Sequence, residues 1–410
     1  MYFSTDWVDR IDFVAMREWR RRNLQEAMQR ANIDGIVSFR AENIRYFTGM
    51  RPLWWPISFT SRNCGIIARD GDPVLFVTSG DWARCRQTMT WLPQDNIRPC
   101  ATMEDAGLAR TMVRDHFVPA LRDLGLTHAR LAIDAVNMSV LEELRAALPD
   151  AEFVPGDACL QDAKAIKNAD EITCMRVTNH MAAIAHDRAA RRIEVGVREC
   201  EVLAEAMHVL YSHGMEVPQC NLIVASGDNT APIHRFASDR IISNGELVFM
   251  DLGGCFNGYF SDVTRTVVLG KPNVEQQRIY AAVYDSMMKA HEVMKPGVTN
   301  VEVNEAVRNV QKQHGFDGYL GVLGHAIGIT AFDAPLIGDI SATGEETFEL
   351  KPGMTFSVEP TITIPGVAGG GGVRLEDCVL ITEDGNEVLS ASVPYCARLL
   401  GEADCLCGHP

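Results

Sequence analysis

The chain has 410 residues, which is enough for two or three domains with hydrophobic cores of their own. Hydrophobic residues make up 47% and charged residues 22%, as in an average globular protein, so a fibrous or disordered chain is excluded. The 38 basic and 54 acidic residues give a net charge of −16, and such a surface repels nucleic acid and anionic lipid. We therefore expect no nucleic-acid or membrane partner.

The amino-terminal segment and the cysteines both indicate a cytoplasmic protein. Residues 1–16 contain Asp6, Asp9, Arg10 and Asp12, which interrupt the apolar core that a signal peptide needs. No apolar run approaches the length of about 18 residues that a membrane span requires. The cysteines are scattered and form no CxxC pair, as expected for small buried side chains in a reducing compartment.

The first part of the chain alternates predicted helices and strands. Helical spacing covers residues 17–31. The predicted strands are 34–39, 64–68, 73–77 and 130–134, the middle two forming a hairpin around Asp70-Gly71. This alternation predicts a small α/β domain, to which we assign residues 1–160.

The second part, residues 161–410, differs in character. All six tryptophans lie in the first quarter of the chain, whereas glycine-rich turns concentrate after residue 220. The predicted helices are 168–192, 198–210, 275–294 and 301–314. The predicted strands are 222–225, 247–251 and 263–269, followed by a strand-rich end. We therefore predict two domains.

The segment from Asp251 to Asp262 is the first that indicates chemistry. Asp251 ends an apolar strand, Asn257-Gly258 is typical of a tight hairpin turn, and Asp262 begins the returning strand. The two carboxylates would then lie side by side, where they repel each other unless a cation or a shared proton lies between them. Because hard divalent cations take oxygen ligands, the hairpin is a candidate metal site.

Three further candidates lie later in the chain. His325 is predicted in a glycine-flanked turn, and Glu359 and Glu376 each follow an apolar strand. Singly, each fits a core histidine or an edge-strand acid; together with the two aspartates they suit a two-metal site, because unpaired charges beside apolar sequence are costly. The glycines at 369–372 lack the helix and lysine of a phosphate-binding loop, so we predict a flexible loop ahead of the Glu376 strand.

These motifs, in this order, resemble the pita-bread metallohydrolases, the group of creatinase, prolidase and aminopeptidase P. The resemblance rests on the spacing of the two aspartates, the run Ser261–Thr266, and the Gly-His, Ser-Val-Glu-Pro and Arg-Leu-Glu-Asp motifs. It covers roughly residue 164 to the end. It implies a creatinase-like α/β domain followed by a pita-bread α+β catalytic domain, and a homodimer.

The resemblance also implies a role for each matched residue. The implied ligands of two divalent metal ions are Asp251, Asp262, His325, Glu359 and Glu376, with Asp262 and Glu376 bridging. One histidine and four carboxylates accept Mn, Fe, Co or Zn. Glu359 would also take up a proton from the attacking water, and His234 would contact the substrate carbonyl or the tetrahedral oxyanion. Arg374 would orient a ligating carboxylate; its alternative is a plain surface ion pair.

Two features depart from the usual peptidase pattern. Family peptidases usually carry a second histidine seven residues after the ligand, but this chain has Phe332, followed by Asp333. Phenylalanine cannot donate a hydrogen bond or shuttle a proton, so this position cannot support cleavage of an Xaa-Pro peptide bond in the way that the family's histidine does. In creatinase-like dimers this part of the first domain lies near the partner subunit's pocket, so the resemblance implies that Arg51, Trp54 and Trp55 would close over its substrate. Paired indoles attract cations, and packing in a domain or dimer interface explains these residues at least as well.

The sequence thus predicts a homodimeric, dinuclear metal-dependent hydrolase that cleaves a peptide or amide bond in a small substrate, such as an Xaa-Pro dipeptide. One alternative keeps the fold and metals but acts on a small compatible solute, as creatine or ectoine hydrolases and dimethylsulfoniopropionate lyases do. Another is a catalytically inactive scaffold, against which the complete ligand set argues.

Overall fold

The computed structural model describes residues 10–52, 62–103, 105–218, 222–316 and 321–402. They divide into two compact units, one spanning Asp12–Lys164 and the other beginning at Ala165. Within these described ranges, no helix combines the length and the hydropathy that a membrane span requires. The nine cysteines in this part of the chain are free thiols.

The first unit is built on one six-stranded sheet. Its strands are β1 (Gly35–Ser38), β2 (Cys64–Ala68), β3 (Val74–Thr78), β4 (Ile97–Cys100), β5 (Arg130–Ile133) and β6 (Glu152–Pro155). They lie in the order β4-β3-β2-β1-β5-β6, with β2 antiparallel to both neighbours and the other pairs parallel. The predicted strands and hairpin are confirmed, whereas β4 and β6 were not predicted.

Helices flank this sheet. They are α1 (Phe13–Arg30), α2 (Ala41–Thr48), α3 (Ser79–Thr88), α4 (Ala106–Met112), α5 (Val118–Asp123), α6 (Met138–Ala147) and α7 (Asp157–Ala165). The Asp12 side chain caps α1 by accepting from the Val14 and Ala15 amides at 3.0 and 2.9 Å. The Phe76 and Phe117 rings meet edge to face, 4.9 Å apart, in the core.

The second unit combines long helices with antiparallel sheets. The helices are α8 (Ala169–Arg192), α9 (Glu199–Ser212), α10 (Val274–Val293), α11 (Asn300–Gln313) and the short α12 (Ile340–Thr343). Capping boxes begin α8, α10 and α11, formed by Asn168 with Glu171, Asn273 with Gln276, and Thr299 with Glu302. The four predicted long helices begin within about two residues of their expected positions, and these caps fix the start of three of them.

The strands of this unit form four sheets. They are β7 (Val217–Pro218), β8 (Ile223–Ser226), β9 (Leu247–Leu252), β10 (Gly254–Phe256), β11 (Tyr259–Phe260), β12 (Val263–Val268), β13 (Val322–Ala326), β14 (Asp333–Gly338), β15 (Thr355–Val358), β16 (Thr361–Thr363), β17 (Gly372–Arg374), β18 (Asp377–Ile381) and β19 (Asn386–Val388). Their orders are β12-β9-β8, β11-β10-β7, β14-β13-β15-β18-β19 and β16-β17. A bridge between Thr264 and Glu376 links the first sheet to the five-stranded one.

The glycines at 369–372 do not form the flexible loop that the sequence predicts. Gly370–Gly372 are buried, and Gly372 begins β17. A Cβ atom on Gly370 would lie 2.6 Å from the Gly227 carbonyl oxygen, and one on Gly372 would overlap the Thr230 carbonyl oxygen. The absence of side chains therefore serves close packing against residues 227–230 and not flexibility.

Candidate metal centre

The predicted hairpin between the two aspartates is present. Asn257 and Gly258 both have positive φ, 49° and 88°, as a two-residue hairpin turn with the strand twist requires. Asp251 lies opposite Thr264 in the β9–β12 ladder, so Asp262, just before β12, is its diagonal neighbour. Both carboxylates are buried, at 1% and 5% exposure. The local turn chemistry thus brings two carboxylates to one place.

His325 lies on strand β13, not in the turn that its flanking glycines suggested. It pairs with Ser357 on β15, and a Cβ on Gly324 would lie 2.5 Å from the Ser357 carbonyl oxygen. The glycine before the histidine therefore permits a close approach between strands. Sequence alone does not distinguish this requirement from a turn, because it depends on the partner strand.

The His325 ring is held with one nitrogen facing two carboxylates. Nδ1 is 3.1 Å from the Ala326 carbonyl oxygen, which only accepts, so Nδ1 carries the proton. Nε2 lies 3.7 Å from Asp262 Oδ2 and 3.9 Å from Glu376 Oε1. Burial lowers the pKa of His325 to about 4, so the ring is neutral at pH 7. The Nε2 lone pair and two carboxylates therefore converge.

This convergence fits a divalent cation. Ligand atoms of Asp262, His325 and Glu376 all lie within 4.8 Å of one another, and all three residues are buried. Oδ1 of Asp251 is also buried and has no hydrogen-bond partner among the described residues. Electron-pair donors gathered without an intervening positive charge repel each other, and oxygen and imidazole ligands suit several divalent metals. The residues present therefore fit a metal ion.

Arg374 forms ion pairs with the remaining two predicted ligands, Asp251 and Glu359. Its Nη1 is 3.1 Å from Asp251 Oδ2, and its Nη2 is 3.1 Å from Glu359 Oε2. Its Nε donates to Thr361 Oγ1 at 3.2 Å. Only 6% of Arg374 is exposed, so the alternative of a surface ion pair is wrong. The guanidinium orients both carboxylates.

Burial dominates the protonation of the metal-free carboxylates. It raises the pKa of Asp251 to about 7, with repulsion from Glu376 adding to the rise and Arg374 opposing it. Burial likewise raises the pKa of Glu376 to about 8, and repulsion from Glu359 adds to that rise. The pKa of Glu359 is raised by burial against the opposing effect of Arg374. A bound cation would reverse this by favouring the ionised forms.

Sequence analysis gave no role to two residues beside Glu376. Thr264 Oγ1 donates to Glu376 Oε2 at 2.6 Å. The buried guanidinium of Arg265 donates to the Glu376 carbonyl oxygen at 2.8 Å and to Asp377 Oδ1 at 2.7 Å. Thr264 follows Asp262 at the strand period of two, which was the available signal in the Ser261–Thr266 run.

His234 lies in the segment between β8 and β9 and reaches the centre through Arg374. Its Nε2 is 3.4 Å from Arg374 Nη2. Partial burial lowers the pKa of His234, and the adjacent Arg374 charge lowers it further. The imidazole is therefore neutral at pH 7 and accepts from the guanidinium through Nε2.

The remaining predicted pocket residues fall into two groups. The Phe332 ring lies against the His325 ring at a tilt of 32°, with centroids 4.2 Å apart and 50% of the residue exposed. Asp333, the first residue of β14, accepts from the Ala334 amide at 3.0 Å. Arg51 is exposed in the first unit, and Trp54 and Trp55 lie outside the described residues. The structure thus brings Phe332 to the centre and leaves the tryptophan prediction untested.

Comparison with known families covers both units. The model of metallopeptidase family M24 matches residues 173–383. The model of the creatinase/prolidase N-terminal domain matches residues 20–166. The two matches follow each other along the chain in the order that the sequence analysis expects.

Individual relatives cover nearly the whole chain. An Xaa-Pro dipeptidase of Pyrococcus furiosus is 31% identical over 90% of this chain and 97% of its own length. The structure of an Xaa-Pro dipeptidase from Bacillus anthracis, 26% identical, superposes with a TM-score of 0.77 over 92% of this chain and 98% of its own. The prolidase from Pyrococcus horikoshii, 29% identical, gives 0.75 over 90% and 97%.

Proposed function

Because the chain belongs to metallopeptidase family M24, with a creatinase/prolidase N-terminal domain, and is a metal-dependent peptidase, we propose that its substrates are Xaa-Pro dipeptides. We further propose that it holds two divalent ions through Asp251, Asp262, His325, Glu359 and Glu376. The observation that carries the proposal is the buried convergence of Asp262, His325 and Glu376. The names of the relatives support the dipeptide substrate.

The charge of the site supports two ions and not one. Four buried carboxylates opposed by the single guanidinium of Arg374 leave three negative charges when all are ionised. One divalent ion leaves part of this charge uncompensated in a buried site, which is costly. Two divalent ions would compensate it, and by the resemblance Asp262 and Glu376 would be ligands of both.

Divalent ions bound here would polarise the scissile carbonyl and make water a nucleophile at neutral pH. Glu359, ionised beside the bound ions, would take up the proton of the attacking water. Arg374 holds Glu359 and Asp251 in fixed orientations. The neutral ring of His234 keeps one N–H that can donate to the substrate carbonyl oxygen as negative charge develops on it.

Phe332 gives the centre an apolar wall where the usual peptidases carry a histidine. Its half-exposed ring lies against His325, with ring centroids 4.2 Å apart, and offers a peptide substrate no polar contact. The same aromatic face also suits the cation of a compatible solute, which keeps that alternative as an outcome of the test.

The experiment is to strip the purified protein of metal, reload it separately with Mn, Fe, Co or Zn, and assay Xaa-Pro dipeptides beside cationic solutes. We expect dipeptide cleavage that depends on added metal, with matched Xaa-Ala dipeptides cleaved more slowly. Turnover of a cationic solute without dipeptide cleavage would refute the substrate, and metal-independent cleavage would refute the centre.

Three further proposals are the homodimer, which follows from the resemblance, the cytoplasmic location, which the scattered cysteines support, and manganese as the native metal. Light scattering of the purified protein tests the first. A mass of one 45.2 kDa chain would contradict the homodimer. Fractionation of the source cells tests the second, and metal analysis of the protein purified without added metal tests the third.

A further inference from the structure

Glu199 is a fully buried carboxylate outside the metal centre, at the first position of α9. Oε1 accepts from the Ser226 amide at 2.7 Å, the Ser226 hydroxyl at 2.9 Å and Asn229 Nδ2 at 3.1 Å. Oε2 accepts from the Ser238 hydroxyl at 2.6 Å and the Ser238 amide at 3.1 Å. These donors stabilise a buried negative charge that would otherwise be costly.

These bonds do not serve the helix on which Glu199 lies. The first turn of α9 is capped by Glu201, whose Oε2 accepts from the Arg198 amide at 3.0 Å and from Arg198 Nε at 3.1 Å. Every side-chain bond of Glu199 named above runs instead to Ser226, the last residue of β8, or to the segment between β8 and β9. The carboxylate therefore acts on that segment, and its function lies there.

The donors to Glu199 flank His234 on both sides. Ser226 and Asn229 precede the histidine, and Ser238 follows it, so one carboxylate closes residues 226–238 into a loop. Asn229 also accepts from the side chain of Arg235, the residue after His234, at 2.6 Å. The loop is thus fixed close to the imidazole from both directions.

A second contact fixes the same loop to the strand that carries Arg374. The Gly372 amide donates to Thr230 Oγ1 at 3.0 Å, and Gly370 and Gly372 pack against Gly227 and Thr230. Arg374 follows two residues after Gly372 and lies 3.4 Å from His234 Nε2. The contacts between the loop and strand β17 therefore fix the distance between them near the contact of His234 with Arg374.

We propose that Glu199 is a positioning residue: by closing the 226–238 loop it sets the place of the His234 imidazole relative to Arg374 and the metal ligands. This inference rests on the proposed function, in which His234 donates to the substrate carbonyl. A displacement of about 1 Å in such a donor lowers the rate by about a hundredfold, so a loosened loop affects turnover strongly.

The test compares Glu199→Gln with a matched control, Asp134→Asn. Asp134 is a buried carboxylate of the first unit that accepts from the Phe39 amide at 2.7 Å, Asn43 Nδ2 at 2.9 Å and the Ser38 hydroxyl. In each variant an NH₂ group replaces a carboxylate oxygen and faces hydrogen-bond donors, so we expect both folded proteins to lose stability. We expect Glu199→Gln alone to lower kcat on an Xaa-Pro dipeptide, by about tenfold to a hundredfold, with metal content unchanged.

A double variant separates positioning from general damage. Glu199→Gln added to His234→Ala should lower kcat less than twofold further, because the positioned group is already gone. Faster hydrogen exchange in residues 229–240 of Glu199→Gln, with unchanged exchange in β18, is also expected. If Glu199→Gln does not fold, Ser238→Ala, which removes the 2.6 Å bond after His234, should show the same local exchange and a smaller loss of kcat.

A wild-type kcat in a folded Glu199→Gln would overturn the inference. So would a double variant whose fold-loss of kcat equals the product of the losses in the two single variants. Unchanged exchange at 229–240 would do so too. Wild-type activity in His234→Ala has a different meaning, since it refutes the proposed role of His234. The exchange measurement still reports in that case whether Glu199 closes the loop.

Discussion

Replacing Arg374 with methionine tests the electrostatics of the centre most sharply, because this side chain opposes the burial of two proposed ligands at once. Methionine keeps a similar length and apolar stem but removes the hydrogen bonds to Asp251 and Glu359, both 3.1 Å long. Hydrogen bonds to charged groups contribute about 1.5 to 3 kcal/mol each. The variant also removes a positive charge that repels the incoming ions.

The lost hydrogen bonds weaken metal binding and the lost positive charge strengthens it, and the pH determines which effect on metal affinity is larger. Arg374 lowers the pKa of Asp251 and Glu359 against the larger effect of burial, so its loss raises both pKa values further. Near pH 6 the ions must then displace more protons, and we expect metal affinity to fall by about 10- to 100-fold. This loss of affinity corresponds to about 1.4 to 2.7 kcal/mol of binding free energy. It is smaller than the free energy of two charge-assisted hydrogen bonds, because the bound ions supply part of the positive charge that the variant lacks. At pH 8.5 a larger fraction of these carboxylates is ionised, so the loss of metal affinity should be smaller than at pH 6.

The assay is calorimetric titration of metal into stripped protein at pH 6, 7 and 8.5. Arg308→Met is the matched control, since Arg308 forms a half-buried pair with Asp339 at 2.7 Å and should leave metal affinity unchanged at each pH. A defect of the same size at every pH, or none at pH 6, would show that Arg374 does not tune these carboxylates.

The other predictions concern individual groups of the centre. Asp262→Ala should lose most bound metal and all turnover while circular dichroism stays native, because a bridging carboxylate serves both ions; retained metal refutes bridging. His234→Ala should keep its metal but lose about a hundredfold or more in kcat, the usual cost of one oxyanion donor. Phe332→His should raise Xaa-Pro cleavage by restoring a polar contact, by about tenfold if it supplies about 1.4 kcal/mol; a loss would mean that the phenyl ring itself binds substrate. In stripped protein the melting temperature should fall as pH rises from 5 to 8. Burial raises the pKa of Asp251 to about 7 and of Glu376 to about 8, and the stability that a raised carboxyl pKa contributes is lost as pH rises through that pKa. Metal-loaded protein should show the opposite trend.

Local patterns in the sequence predicted the parts of the fold that local forces determine. The predicted helices followed from helical periodicity, and three of them begin at capping boxes formed by residues three apart, such as Asn168 with Glu171. The hairpin between the aspartates follows from Asn257-Gly258, because both residues adopt positive φ. The family motifs then identified the side chains that the structure gathers at the centre.

Features that depend on a distant partner were not predictable in this way. Glycines resemble turns or flexible loops in sequence, yet Gly324 serves strand β15 and Gly372 serves Thr230, both far away along the chain. Glu199 has the appearance of an ordinary exposed acid at a helix start, and only tertiary packing buries it beneath the His234 loop. Thr264 was visible within a quoted motif, but its bond to Glu376 joins two sheets.

The central claim is a dinuclear centre that supports peptide cleavage, and titration of stripped protein with metal while following Xaa-Pro turnover tests it most directly. We expect activity to rise with added metal and to reach its maximum at two equivalents per chain, and Asp262→Ala to show neither this metal binding nor this activity. Full activity at one equivalent, or activity without metal, would contradict it.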